Sequence, residues 1–292
     1  MAPAVHLGIL LPHVSIHQIQ STGYSLKDKL QTFHSVSNRF RRMNMSNPAA
    51  IVPRRLVDDI PPALQEEVNL FLKWGYLIVD NALTEEQLSD VTSAFEECLE
   101  NKDREFTHSL IEEDERFDCL LENPPILQRM KAILGNCLQL HSATARVTRP
   151  GARDQPWHRD GPWPVSPEGT PYGSVPGQIN CAYYLDELTS ENGPLVILPG
   201  SQRVPFGPPA GHVEFGHQEL VFAKPRQAVI FDGWLFHRGG ANVSPANRRV
   251  CLMCYQNAWM KSRENFDSAR IKKLREQGSP ERRLLLGGIT SW

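Results

Sequence analysis

The sequence predicts a mainly β fold with flanking helices, and three observations carry that prediction. Apolar stripes of helical period run from about residue 60 to about residue 134. From Leu138 onward the pattern changes to short β-like runs broken by Pro, Gly and Asn. A helical front followed by an all-β body packs best as a closed or sandwiched sheet with helices outside it.

Residues 1–50 carry one acid, Asp28, against Lys27, Lys29, Arg39, Arg41 and Arg42, and show no periodicity. They are expected to be a disordered or targeting extension, dispensable for catalysis, ahead of a folded domain over 51–292. The acid-poor, Arg- and Ser-containing character of residues 1–45 fits mitochondrial import. It fits equally an unstructured extension, or a true start at Met45, on a cytoplasmic protein.

Leu64, Val68, Phe71 and Leu72 then share one helical face, and Gly75 releases the chain into a strand over Tyr76-Leu77-Ile78-Val79. Thr84 and Gln87 form a capping box for a second helix striped by Leu88, Val91, Phe95 and Leu99. A third helix begins at Pro124, buries Ile126, Leu127, Met130, Ile133 and Leu134, and stops at Gly135. The acidic stretch Asn101–Glu122 between them reads as a solvated or mobile connection. Strands are expected over 138–147, 178–185, 195–198, 228–231 and 250–256. The tail 261–283, with eight Lys or Arg against four acids, reads as a solvated terminal helix.

A formal charge of −2 over 292 residues offers no global attraction for nucleic acid or an anionic membrane. No apolar stretch approaches the roughly 18 residues needed to cross a bilayer. The six cysteines need no disulfide role in a chain of this length, and Cys251-x-x-Cys254 lies in an apolar run better read as a buried strand than as a redox or zinc pair. The chain has no phosphate-binding Gly-rich loop and no Gly-x-Ser-x-Gly elbow. Its partner is expected to be a small molecule; nothing in the sequence speaks to oligomeric state.

The chemistry gathers in Gln155-Pro156-Trp157-His158-Arg159-Asp160-Gly161. On an extended strand, residues two apart point to the same face, so His158 and Asp160 form a two-ligand corner. His237, just after a β-like run, supplies a third ligand. Two imidazoles and one carboxylate make the facial triad that leaves positions open on Fe(II) for co-substrate and oxygen. A lone His-x-Asp is common by chance, but Arg248, at the opening of the last strand, is placed to grip the far carboxylate of a dicarboxylic co-substrate with two parallel hydrogen bonds. Arg249 and Arg159 face the other way by alternation, and His141, His212 and His217 are read as structural or surface residues. Trp163, Tyr172 and Trp234 could line a pocket or serve the core, and the Pro- and Gly-rich loop Gly161–Gly177 is long enough to act as a lid.

Over roughly residues 65 to 260 the chain resembles the phytanoyl-CoA dioxygenase (PhyH) family of iron and 2-oxoglutarate oxygenases. The matching blocks are Trp157-His158-Arg159-Asp160, then Tyr184 to Leu195 including Glu191-Asn192-Gly193-Pro194, then Leu198-Pro199-Gly200-Ser201-Gln202, then His237 and Gly239 through to Arg248. The resemblance implies a double-stranded β-helix (jelly-roll, cupin-like) core with the triad at its mouth. It also implies Fe(II), 2-oxoglutarate and molecular oxygen as cofactor and co-substrates, and turns at Glu191-Asn192-Gly193 and Pro199-Gly200-Ser201. Gln155 and Asn180 match positions that help hold 2-oxoglutarate in several relatives. Related halogenases replace the carboxylate ligand with a small residue, so Asp160 points to hydroxylation, desaturation or a related oxidation. No cationic cluster stands beside the matched blocks for a CoA phosphate, and a free small organic molecule, of a kind met in secondary metabolism, is the expected substrate. A metal-dependent hydrolase or isomerase on a cupin-like barrel, or a catalytically silent binding protein of the same fold, would share parts of this pattern.

Overall fold

The computed structural model describes residues 60–161, 176–211 and 213–288. The 1–50 extension, His212, and Trp163 and Tyr172 with most of their loop lie outside those residues.

Helix α1 (Pro62–Trp74) ends on Gly75 in the left-handed region, φ +88°, and the chain turns at once into β1 (Tyr76–Val79). Helix α2 (Glu85–Cys98) starts with the expected capping box, Thr84 Oγ1 accepting from Gln87 N at 3.1 Å while Gln87 Oε1 accepts from Thr84 N at 3.0 Å. After β2 (Phe106–Thr107) and the short α3 (Leu110–Glu113) comes α4 (Pro124–Leu134), capped by Asn123.

The acidic stretch 101–122 is therefore not a solvated connection. Leu110, Ile111, Phe117, Leu120 and Leu121 are fully buried in the main core. Its charges are used at the surface, in pairs such as Arg104–Glu113 at 2.8 Å and Arg116–Glu97 at 2.6 Å. Counting acids concealed the apolar residues between them.

The β body follows: β3 (Leu138–Thr148), β4 (Gln178–Tyr184), β5 (Leu195–Ile197), β6 (Glu219–Val221), β7 (Ala228–Asp232), β8 (His237–Gly239) and β9 (Arg248–Asn257). A six-stranded antiparallel sheet has the order β1-β7-β4-β9-β3-β2, and a three-stranded antiparallel sheet has the order β6-β5-β8. The two sheets face each other in a double-stranded β-helix.

Alternation divides the large sheet by face. Ala143, Ala145, Cys181, Tyr183, Ile230, Cys251, Met253 and Tyr255 point outward into a core shared with α2, α4 and the buried residues of 110–121. Ala182, Tyr184, Val229, Phe231 and Val250 point inward against Leu195, Ile197 and Val221 of the small sheet. Cys251 and Cys254 lie on opposite faces, and all six cysteines are free. The basic tail forms α5 (Ala269–Gln277) and α6 (Pro280–Leu285) and is not wholly solvated, since Ile271, Leu285 and Leu286 enter the outer core.

Candidate metal centre

The segment 155–158 lies antiparallel to β8. Gln155 N donates to Gly239 O at 2.9 Å, and His158 and His237 exchange backbone hydrogen bonds at 3.0 and 3.1 Å. The first and third candidate ligands are thus direct cross-strand neighbours, with ring centroids 4.3 Å apart. Asp160 is brought to them by a second fixture: Asp160 N and Gly161 N both donate to Gly233 O, at 2.8 and 2.7 Å. A Cβ on Gly161 would meet the Trp234 ring at 1.9 Å, so only glycine permits this approach.

One ligand atom from each of His158, Asp160 and His237 lies within 4.8 Å of the others, His237 Nε2 being 3.3 Å and His158 Nε2 3.8 Å from the Asp160 carboxylate. Each Nδ1 sits 2.9 Å from a main-chain carbonyl, Pro156 O for His158 and Leu235 O for His237. That contact takes the proton on Nδ1 and turns each Nε2 toward the carboxylate. The other Asp160 constraint comes from Asn180, whose Nδ2 donates to Oδ2 at 3.1 Å.

The electrostatics favour an ionised Asp160 paired with His237. Burial disfavours the Asp160 carboxylate, but the charge and hydrogen bond of His237 and the charge of His158 outweigh it and hold the pKa at about 2. Burial would lower His237, yet Asp160 raises it above the ordinary imidazole value; burial and then the His237 charge lower His158.

These groups open on a cavity of about 300 Å³ between the two sheets. Gln155, Asn180 and Arg248 line it too, so the six residues expected to hold metal or 2-oxoglutarate face one space. Gln155 is locked in place by Gly239 N, which donates to its Oε1 at 2.9 Å; a Cβ on Gly239 would stand 3.0 Å from that oxygen. Arg248 is 6% exposed, with its guanidinium 5.5 Å from the Tyr184 ring centroid. Among the described residues it has no hydrogen-bonded or ion-paired partner, and its buried Nε is unsatisfied. Arg249 is its opposite, bound to Asp186 at 2.6 Å and Glu96 at 2.8 Å on the outer face. Arg159 also points away, with its guanidinium 4.6 Å from the Phe236 ring centroid and a hydrogen bond to Val204 O at 2.8 Å.

Trp234 does not line the cavity, whereas His141, read as structural from the sequence, does. The sequence reading also passed over Arg146 and Arg263, both of which reach the same cavity. Arg146 could have been found by continuing the alternation of β3 inward from Thr144; no local signal marks Arg263.

Comparison with known proteins agrees with this geometry. Dioxygenase af480 of Aspergillus fumigatus is 32% identical over 174 residues, 57% of this chain and 53% of that protein. Dioxygenase hkm4 of Aspergillus hancockii is 37% identical over 105 residues, 35% of this chain and 33% of that one. The matched region thus spans about half or less of the length of these relatives. Among solved structures, HygX from Streptomyces hygroscopicus with nickel and 2-oxoglutarate bound superposes with a TM-score of 0.59 at 14% identity, covering 68% of this chain and 88% of its own. EctD from S. alaskensis gives 0.59 at 16% identity, covering 75% and 91%. A sequence model of the phytanoyl-CoA dioxygenase (PhyH) family matches residues 71–250, well over half of the chain and all of the candidate site, and the protein belongs to that family.

Proposed function

We propose that the protein is an Fe(II)- and 2-oxoglutarate-dependent dioxygenase that oxidises a small organic molecule. The observation that carries this reading is the meeting, in one cavity, of a two-His, one-carboxylate cluster and a buried guanidinium without an acid partner among the described residues. A charge buried with no partner is costly, and a bound carboxylate resolves the cost.

The residues present fit the groups they would hold. His158, Asp160 and His237 would bind the iron through Nε2, a carboxylate oxygen and Nε2, the set that leaves positions free on Fe(II). Arg248 would take the far carboxylate of 2-oxoglutarate. Gln155 has its oxygen committed to Gly239 N, which leaves its amide nitrogen free to donate into the cavity. Asn180 acts through Asp160, fixing which carboxylate oxygen is available. Bound together, iron, 2-oxoglutarate and oxygen supply the oxidising power to break a substrate C–H bond. The chain's part is to orient substrate and co-substrate and to keep water from the space between the sheets. A hydrolase or isomerase on the same barrel gives Arg248 no task. Retention of Asp160 favours hydroxylation, desaturation or a related oxidation.

The test is release of succinate from 2-oxoglutarate by the purified full chain with Fe(II) and oxygen, with and without a panel of small organic substrates. Iron-dependent succinate release is expected, and its abolition by chelator. Absence of 2-oxoglutarate binding by calorimetry, with or without metal, would sink the reading.

A further inference from the structure

The cavity holds more positive charge than the proposed chemistry uses. Of the described residues lining it, one is a carboxylate, Asp160, and three are guanidinium groups, Arg146, Arg248 and Arg263. A divalent iron, Asp160, 2-oxoglutarate as a dianion and Arg248 sum to zero. Arg146 and Arg263 are left over. Neither side chain has an ion pair or hydrogen bond among the described residues, whereas on the outer face of the sheet Arg249 has three carboxylates within 4 Å. His141 does not add to the surplus, because burial and then the Arg263 charge hold its pKa below the ordinary value.

Both Arg146 and Arg263 are exposed at the mouth of the cavity, but the backbone of Arg263 is firmly held. In β3 the pairing with β9 slips between Leu140 and Ser142, so the bulge turns both His141 and Ser142 toward the cavity. The bulge frees polar backbone groups, and a strap following β9 satisfies them. His141 O accepts from Arg263 N at 3.0 Å and from Glu264 N at 3.2 Å. The buried Glu264 carboxylate accepts from Ala143 N at 2.9 Å and from Ser109 N at 3.0 Å. Ser262 Oγ donates to Leu140 O at 2.6 Å, and Gln256 Nε2 donates to Met260 O at 3.1 Å. Strand, bulge and strap thus fix the backbone of Arg263 beside the cavity while its side chain stays uncommitted. Arg146 stands on the same strand further along, paired in register with Val250.

We propose that the substrate is an anion, a small carboxylic acid or phosphate ester, whose charged group is held by Arg263 with Arg146 supplying a second positive charge. This rests on the dioxygenase reading only for the charge balance; the strap and the uncommitted guanidinium groups stand apart from it. The contact sets which part of the substrate lies over the metal, and makes Arg263 a specificity residue.

The test uses the full chain with Ni(II) and N-oxalylglycine, an unreactive 2-oxoglutarate analogue that fills the Arg248 end. Calorimetry then compares hydrocinnamic acid, adipic acid and phenyl phosphate with hydrocinnamide, adipamide and phenol. The anions are expected to bind and their neutral counterparts to bind at least about tenfold more weakly, as for loss of a charge-assisted pair. Preference for phenyl phosphate over the carboxylic acids assigns a phosphate, and the reverse a carboxylate. Arg263→Gln should weaken anion binding by about ten- to hundredfold and leave N-oxalylglycine affinity unchanged. Equal binding of anions and neutral partners, no binding by any of them, or no effect of Arg263→Gln would overturn the proposal. Anion binding sensitive to Arg263→Gln in a chain that fails to take N-oxalylglycine would support the anion site and reject the 2-oxoglutarate reading.

Discussion

The two faces of the six-stranded sheet are built from the same strands to opposite specifications. On β9, Cys251, Met253 and Tyr255 face outward into a dry core with the helices, while Arg248, Val250 and Cys254 face inward to the cavity. On β4, Ile179, Cys181 and Tyr183 are outward and Gln178, Asn180 and Tyr184 inward. The outer face is apolar and satisfied. The inner face carries a guanidinium with no partner among the described residues and a carboxylate held among imidazoles. A two-residue period lets one strand carry stability on one side and chemistry on the other, with substitutions on either side largely independent in effect.

That separation is open to direct attack. Asp160→Ala should reduce 2-oxoglutarate turnover by about a thousandfold or more by removing a proposed metal ligand, yet leave the melting temperature of the metal-free protein almost unchanged. Met253→Ala, at a fully buried outward position, should do the reverse, costing about 2–5 kcal/mol in denaturant unfolding with the 2-oxoglutarate KM unaltered. If each variant moved both measurements, the faces would be coupled and the comparison would fail.

A second test is by pH. Asp232, buried at the end of β7, is raised by burial to about 7, against the lowering effects of its bond from Trp234 N and of the Arg159 charge. A carboxyl group with a raised folded pKa binds protons more tightly when native. Its stabilisation is full below about pH 4 and is lost as pH rises through 7, at up to about 1.4 kcal/mol per pH unit. Asp232→Asn should flatten this slope and stabilise the protein at pH 8, measured by urea unfolding across pH. An unchanged slope would show that the carboxyl group is ionised throughout.

The smallest contrast is between neighbours. Arg248→Gln should raise the 2-oxoglutarate KM by about ten- to hundredfold with no loss of stability, because it deletes an unpartnered buried charge. Arg249→Gln breaks the pairs with Asp186 and Glu96, so it should destabilise by about 1–3 kcal/mol and leave that KM alone. Similar KM values for the two variants would mean that the co-substrate does not reach Arg248.

How far the sequence could be read follows from the range of the forces involved. The capping box at Thr84 and the Pro124 helix were legible because each is fixed by bonds within a few residues, and the step from His158 to Asp160 because residues two apart on extended chain share a face, although the bonds that hold both come from His237 and Gly233. The placing of His237 beside His158 was legible through family spacing, although the pairing itself is long-range. Strands β2, β6 and β8 were missed, since they are two or three residues long and, unlike the equally short β5, do not sit in a continuous apolar run. The burial of 110–121 and of Leu285 was missed because their partners lie far along the chain. Arg263 was invisible for the same reason: only the bulge at His141 gives its position a meaning.

The imidazole latches carry one more consequence. Both candidate ligand histidines are held by the carbonyl of the residue two places before them, Pro156 and Leu235, and those carbonyls belong to a backbone already tied across to its neighbours. Rotational freedom that a metal would otherwise have to remove from the rings is spent during folding. Association should therefore resemble filling a rigid chelate, fast and with little entropic penalty, and stripping the ion should leave a folded vessel ready to be reloaded. With the proposed metal bound there, one divalent ion should exchange for another without the chain passing through its unfolded state.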